Sequence, residues 1–445
     1  MERTTAAALA RHISATLKRA GHRAYLVGGC VRDVVLGREP KDYDVATDAT
    51  PDAVLSLFPH ANKVGAYFGV VLVRSGDAQV EVATFRSDHA YADGRRPGRV
   101  EFETDPRQDV LRRDFTINAL LMDPDSDELI DYVDGRGDLD RGLIRAIGDP
   151  ERRFQEDHLR MLRAVRFAAR FGFEIEPATM AAIQRLHGLV PRVSAERIRD
   201  ELVRILTEGG ARRGFELLDE SGLLGDILPE VAAMKGVEQP PEYHPEGDVW
   251  THTLMMLDGL RDPTPALAMG VLLHDVGKPG TFRRAPDRIR FDGHVELGVD
   301  LAQNILRRLR FSNADCEQVV TLVSNHMRFK DVPRMKESTV KRFLRLKRFD
   351  EHLELHRLDC ENSNGNLESY RMMAAKAAET PPEVLKPPRL IGGADLIAAG
   401  YRPGPLFSEM LQAVEDAQLE GTVASRAQAM DLVRSRFGEP PGSSN

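Results

Sequence analysis

Apolar and polar positions first suggest a helix over residues 1–20, an amphipathic pattern interrupted by Arg11, His12, Lys18 and Arg19. Residues 23–27 (RAYLV) then predict a strand that ends in Gly28-Gly29, and residues 31–36 a short helix closed by Gly37. A second strand is expected over 42–46 (DYDVA). Residues 68–74 and 79–85 alternate, are rich in β-branched side chains and flank Ser75-Gly76-Asp77, which is a hairpin signal. The polar, Arg/Gly-rich stretch 86–104 reads as a mobile loop. Asp105-Pro106 then opens a helix with a capping carboxylate and a proline in its first turn. The first 150 residues are therefore a mixed α/β unit.

Beyond residue 150 the strand signal fades. Leu159, Leu162, Val165 and Phe167, and later Ile198, Leu202, Ile205 and Leu206, recur at three- and four-residue spacing, so 151–236 is expected to be helical. Gln239-Pro240-Pro241-Glu242 marks a linker before a histidine-containing helical region at 240–365. A second linker, from Thr380-Pro381-Pro382 to Pro387-Pro388, precedes the helices of a tail domain, 366–445, whose last residues are expected to fray.

Composition narrows the class. A chain of 445 residues suggests two to four domains, and 42% hydrophobic with 29% charged residues excludes a disordered or collagen-like chain. The formal charge of −8 excludes a uniformly basic surface, so a nucleic-acid site must be local. Residues 151–213 supply such a patch, with 13 Arg against nine acids. Cys30, Cys316 and Cys360 fit neither a disulfide framework nor a zinc cluster and read as reduced thiols of a cytoplasmic protein. No run of about 18 apolar residues appears, so no membrane span is expected.

Two constellations carry chemistry. In the first, Gly28-Gly29 joins a strand to a helix, where backbone N–H groups approach a phosphate and Arg32 adds a charged fork. Asp42 and Asp44, two apart on an expected strand, leave the same face. Carboxylates held that close repel unless a cation lies between them, and magnesium is the natural partner. Glu81 on the later hairpin strand is a candidate third oxygen ligand.

The run LVGGCVRDVVLGREPKDYDVAT resembles the first motif of the class II nucleotidyltransferases of the polymerase-β superfamily, the family of CCA-adding tRNA nucleotidyltransferases and bacterial poly(A) polymerases. The motifs follow in family order: Arg112-Arg113-Asp114-Phe115-Thr116-Ile117-Asn118-Ala119, then Asp131-Tyr132-Val133-Asp134-Gly135, then Glu156-Asp157-His158-Leu159-Arg160-Met161-Leu162-Arg163. The resemblance implies a mixed-sheet nucleotidyltransferase head (1–150), a helical neck that reads the base and binds RNA (151–236), and all-α domains after it. It implies attack of a tRNA 3′-hydroxyl on CTP or ATP, with Asp42 and Asp44 holding two magnesium ions. Arg113 matches a triphosphate contact, and Asp114 and Asn118, expected four apart on one helix, could sense the ribose, Asn118 chiefly as a structural hydrogen-bonding residue. Asp157 and Arg160, i and i+3 on an expected helix, match the readers of the incoming base. An Asp accepts from the exocyclic amine shared by cytosine and adenine, and an Arg donates to ring acceptors. Arg163 continues the series toward the pocket, whereas helix geometry turns Arg166 nearly opposite Asp157, although the family pattern includes both as nucleotide contacts. The stretch 86–104, basic through Arg95, Arg96 and Arg99, resembles the flexible loop tied to the switch from C to A addition.

The second constellation is His252, His274-Asp275, His294, His326 and Asp359, a set of imidazoles and carboxylates suited to a transition metal or magnesium. His274 and Asp275 are adjacent and converge only if their helix ends, with Gly277 as the stop. The segments LLHDVGKP, FDGHVELG, SNHMRF and LHRLDCENS resemble the HD phosphohydrolase superfamily, which implies a second, hydrolytic activity. His244 and His356 read as surface or core residues rather than ligands. The expected function is addition of C, C and A to tRNA from CTP and ATP. A bacterial poly(A) polymerase is the alternative within the family, although the tail 389–445 is not strongly basic. An HD phosphohydrolase with an RNA-binding head is the alternative from another class.

Overall fold

The structure is a computed structural model that describes residues 5–63, 69–91 and 97–440. The chain divides into two compact units: Met1–Lys235 with Leu260–Ala268 and Asn304–Phe311, and Gly236–Gly259 with Met269–Gln303 and Ser312–Asn445.

The first unit carries the expected mixed sheet. Its strands are β1 (Ala24–Val27), β2 (Asp44–Thr47), β3 (Asn62–Lys63), β4 (Val70–Ser75), β5 (Ala78–Thr84), β8 (Leu121–Met122) and β9 (Leu129–Ile130), in the order β3-β4-β5-β2-β1-β8-β9. β6 (Arg86–Tyr91) and β7 (Pro97–Phe102) form a separate hairpin. β2 and β5 run parallel, with Asp44 opposite Glu81; the other neighbours in the large sheet are antiparallel. Alternation along β5 sends Val80, Val82 and Thr84 inward and leaves Gln79 and Glu81 outside. Val27, Ala46, Phe85, Val110, Ala119, Leu121 and Ile147 pack as one core against this frame. The aligned acidic residues therefore sit on strands anchored by buried aliphatic neighbours.

Several expectations are corrected. The stretch 86–104 is a β-hairpin where it is described, because β6 and β7 pair from Arg86↔Phe102 to Tyr91↔Pro97; Arg95 and Arg96 lie outside the described residues. The second strand starts at Asp44, so Asp42 precedes it in the connection from the Gly-Gly turn. The helix opened by Asp105 ends at Leu111, which leaves Asp114 in a loop and Asn118 in the short turn Thr116–Asn118. The parts beyond the head are not wholly helical: Leu143–Ile144 pairs in parallel with Glu174–Ile175, and Arg283–Arg284 pairs with Ile289–Arg290. Among the described residues no helix is long and apolar enough to cross a membrane.

Candidate active site and metal centre

In the first unit, Gly28, Gly29, Arg32, Asp42, Asp44 and Arg113 line one cavity of about 400 Å3 with Asp114, Asn118, Arg163 and Arg166. Gly28 takes a left-handed conformation (φ +76°) at the turn into the helix Gly29–Val35. A Cβ at this position would lie 3.5 Å from a guanidinium nitrogen of Arg113, so the turn brings bare backbone up to that cation. Asp44 is partly buried, and its carboxyl is pushed up to about 6 by that burial and by the neighbouring Glu81 and Asp42. Asp42 and Asp44 line the cavity together, and a hard cation there would offset the crowding of negative charge on Asp44. Glu81 reaches this group from the outer face of β5 and is not part of the cavity lining.

The cationic wall is tied down by acids. Arg113 donates to Asp109 at 2.8 Å. Arg32 is buried, donates to Asp33 and to Asn118 Oδ1 at 2.6 Å each, and lies 4.7 Å from the Phe171 ring centroid. Arg163 donates to Asp114 at 2.6 Å, and Asn118 donates to the other Asp114 oxygen at 3.3 Å. Burial works against the Asp114 charge, but Arg163 and Arg160 overcome it and hold the carboxyl at about 2.

The base-reading series does not lie as helix spacing predicts. The helix Pro150–Glu156 ends before Asp157, which is extended (φ −145°), and a new helix runs Leu159–Phe171. The Asp157 carboxylate accepts from Arg197 at 2.8 Å and from the Leu159 amide at 3.1 Å. Arg160 donates to Glu156 at 2.9 Å and to the backbone carbonyls of Arg153 and Arg112. Neither residue lines the cavity. Arg166, which helix geometry turned away, does: it is 1% exposed, donates to Glu201 at 2.6 Å and lies 4.1 Å from the Phe167 ring centroid. Phe167, Arg170, Arg204 and Glu208 complete that wall. Arg204 and Glu208 come from a distant helix-end segment with no local signal, whereas the spacing from Arg163 through Arg170 was legible.

In the second unit, the six expected residues converge. Asp275 Oδ2 lies 3.0 Å from His274 Nε2, and Asp275 Oδ1 lies 3.7 Å from His326 Nε2 and 3.9 Å from His294 Nε2. His252 Nε2 lies 3.2 Å from Asp359 Oδ1. His252, His274 and Asp275 form one potential ligand trio, Asp275, His294 and His326 a second, and His244, Glu246 and His252 a third. The Nε2 atoms of His294 and His326 are buried without a hydrogen-bond partner, and those of His252 and His274 face only the carboxylates of Asp359 and Asp275. Buried polar atoms normally find partners; imidazole nitrogens and carboxylates turned toward one another in this way fit a metal. Burial lowers His294 and takes His326 down to about 4, so both present the neutral, ligating form. Burial also opposes charge on Asp275, but His274, Lys278 and His326 hold it well below the usual carboxylate range.

Lys278 and Glu246 were not anticipated. Lys278, three residues after Asp275 in HDVGK, donates to it at 2.6 Å and to Gln239 at 2.6 Å. Glu246 lies 2.7 Å from His252 Nδ1. A cavity of about 710 Å3 opens onto Asp275, His294, His326 and Asp359, with Lys278, Arg288, Arg290 and Lys330 in its wall.

Gly277 is not the expected stop. The helix Pro265–Leu273 ends ahead of His274, and Gly277 has φ −81°. A Cβ there would fall 2.1 Å from the His294 carbonyl oxygen and 2.6 Å from the Gly298 amide nitrogen. The residue is a contact point that seats the His294 helix against the HD segment. Gly277→Ala is expected to cost about 1–3 kcal/mol through overpacking and to weaken Mn2+ binding by moving His294. Thermal melts with and without Mn2+ check this; unchanged melts would sink it.

Comparison with known proteins finds three matching segments. Residues 24–145 match the "Poly A polymerase head domain", 172–235 the "Probable RNA and SrmB- binding site of polymerase A" and 249–359 the "HD domain". The chain is 39% identical over 257 residues to the CCA-adding enzyme of Lactobacillus johnsonii, covering 56% of this chain and 63% of that protein. It is 42% identical over 246 residues to the CCA-adding enzyme of Bacillus pumilus, covering 54% and 61%. The chain thus spans about three fifths of the length of these curated relatives. The crystal structure of the Bacillus stearothermophilus CCA-adding enzyme in complex with CTP superposes with a TM-score of 0.73 at 28% identity, covering 96% of this chain and 98% of that one.

Proposed function

We propose that this chain, whose segments match a poly A polymerase head, an RNA-binding segment and an HD domain, adds C, C and A to the 3′ end of tRNA from CTP and ATP, without a template. The observation that carries this reading is the pair Asp42 and Asp44, which line one cavity with the Gly28 turn and a cationic wall. The carboxylates would hold magnesium, which supplies charge to activate the RNA hydroxyl and to neutralise departing pyrophosphate. Arg32, Arg113, Arg163 and Arg166 bind and orient the triphosphate. Asp114, kept ionised by Arg163, accepts from the ribose hydroxyls. The 13 Arg of 151–213 supply phosphate contacts to tRNA.

Asp157 and Arg160 read the base once Arg197 and Glu156 yield their present contacts. An Asp–Arg pair satisfies cytosine and adenine and leaves uracil and guanine mispaired. Arg160→Ala is expected to lower the preference for CTP over UTP by about tenfold, from roughly 1–3 kcal/mol per bidentate base contact, with a smaller effect on triphosphate binding. An unchanged CTP-to-UTP ratio removes Arg160 from the reader role.

The test of the main reading is incubation with tRNA lacking its 3′ CCA, Mg2+ and one or both nucleotides. Sequential incorporation of two C and one A supports it. Long A tails would make the protein a poly(A) polymerase. Phosphate release without incorporation would leave only the HD unit as catalytic.

The convergence of four imidazole Nε2 atoms on Asp275 and Asp359 favours a second activity in the second unit. His252, His274, Asp275, His294, His326 and Asp359 would hold a divalent cation, and the imidazole-rich set favours a transition metal over magnesium. Such an ion polarises a phosphoryl oxygen. Lys278, Arg288, Arg290 and Lys330 in the cavity wall suit a phosphate ester as substrate.

A further inference from the structure

A metal-ligating histidine needs an acceptor on its other ring nitrogen to fix its tautomer and direction. Three of the four histidines obtain one in the same way. Nδ1 of His274, His294 and His326 lies 2.8, 2.8 and 2.6 Å from the backbone carbonyl three residues earlier, at Val271, Phe291 and Val323. Each of the three stands at a helix boundary: directly after Pro265–Leu273, at the start of His294–Arg308, or directly after Asn313–Asn325.

His252 stands inside the first turns of the helix Val249–Asp258, and there the local carbonyls are engaged. The Val249 carbonyl accepts from Thr253 Oγ1 at 2.8 Å, and the Asp248 carbonyl accepts from the His252 amide at 3.0 Å. Its Nδ1 turns instead to Glu246 Oε1 at 2.7 Å and to the Asn362 carbonyl at 3.1 Å. The Glu246 side chain is 5% exposed, shares the same oxygen with His244 Nδ1 at 2.9 Å, and keeps its other oxygen buried without a partner among the described residues. A carboxylate so desolvated is costly unless positive charge nearby offsets it.

We propose that Glu246 is a positioning residue of the divalent-cation centre: it fixes His252 with Nε2 aimed at Asp275 and Asp359, and adds a negative charge in the outer shell. This rests on reading the cluster as a metal site. His244 shares the Glu246 Oε1 and completes its hydrogen bonding.

The test uses the full chain stripped with chelator and titrated with Co2+ alone, followed by its visible d–d absorption. Wild type should bind, and Glu246→Gln should bind about 10–100-fold more weakly with a shifted spectrum. His244→Phe should bind as wild type does. Nucleotide incorporation by the same preparations, together with a melt in chelator, shows that each variant is folded. If Glu246→Gln unfolds, Glu246→Asp, which shortens the reach to His252, should give an intermediate loss. Equal affinity of wild type and the Glu246 variants overturns the positioning role. Equal losses in His244→Phe and Glu246→Gln also overturn it, by placing both residues on the ion. Wild type that takes up no Co2+ overturns the metal reading and this inference together.

Discussion

Asp44→Asn is expected to lower CMP incorporation onto tRNA lacking its CCA end by about 10^3-fold or more, because a bound cation contributes several kcal/mol of charge stabilisation in phosphoryl transfer and each 1.36 kcal/mol is tenfold. Asn keeps the shape and removes the charge. In the metal-free protein the same change should raise stability. Burial, Glu81 and Asp42 push the Asp44 carboxyl up to about 6, so the folded state holds a proton that the unfolded chain releases near pH 4. Wild type therefore loses stability as pH rises from about 4 to about 6. In EDTA at pH 7, Asp44→Asn should melt above wild type, the gap should close below pH 4, and Mg2+ should raise wild type alone. Calorimetry across pH, with and without Mg2+, tests this. A variant that incorporates CMP normally, or that melts with wild type throughout, would refute the cation role of Asp44.

Local signals in the sequence served the head well. Strong alternation and turn residues gave β1, β4 and β5, and the Gly28-Gly29 turn stands where the pattern placed it. Parallel pairing of β2 with β5, which puts Glu81 opposite Asp44, is a long-range choice that periodicity does not encode. The hairpin of β6 and β7 was hidden for a related reason: its polar, glycine-rich composition reads as a loop, and only backbone pairing from Arg86 to Phe102 makes it a sheet. Asp157 shows the limit of helix spacing. A break at this residue moves it off the face shared with Arg160, and its carboxylate is taken by Arg197, 40 residues away. Arg166 fails in the opposite sense, since the cavity wall wraps around the helix and collects a side chain that points away from Asp157. In the second unit every expected ligand converges, because distinctive residue types identify a site even when the folding between them is unread. Glu246 was invisible because its role depends on the lack of a free carbonyl inside the His252 helix.

Asp275→Asn should have the largest effect in the second unit. Asp275 belongs to two of the three potential ligand trios and links His252 and His274 to His294 and His326, so its loss cannot be covered by the histidines alone, and Co2+ affinity should fall further than the roughly 10–100-fold expected for a residue that only orients a ligand. Hydrolysis of p-nitrophenyl phosphate by the metal-loaded chain should fall with it. The same carboxylate receives Lys278 at 2.6 Å in a site where both groups are buried. Removing its charge leaves that ammonium facing Gln239 and the Phe291 ring without a counter-charge, which costs about 3–5 kcal/mol for a broken buried pair. The melt in chelator should therefore drop even though no metal is present. Nucleotide incorporation, measured below that melt, should remain at the wild-type level, because the carboxylates and arginines that serve it belong to the first unit. Undiminished Co2+ binding by Asp275→Asn would remove Asp275 from the metal centre. A parallel loss of incorporation would mean that the two activities are not separable.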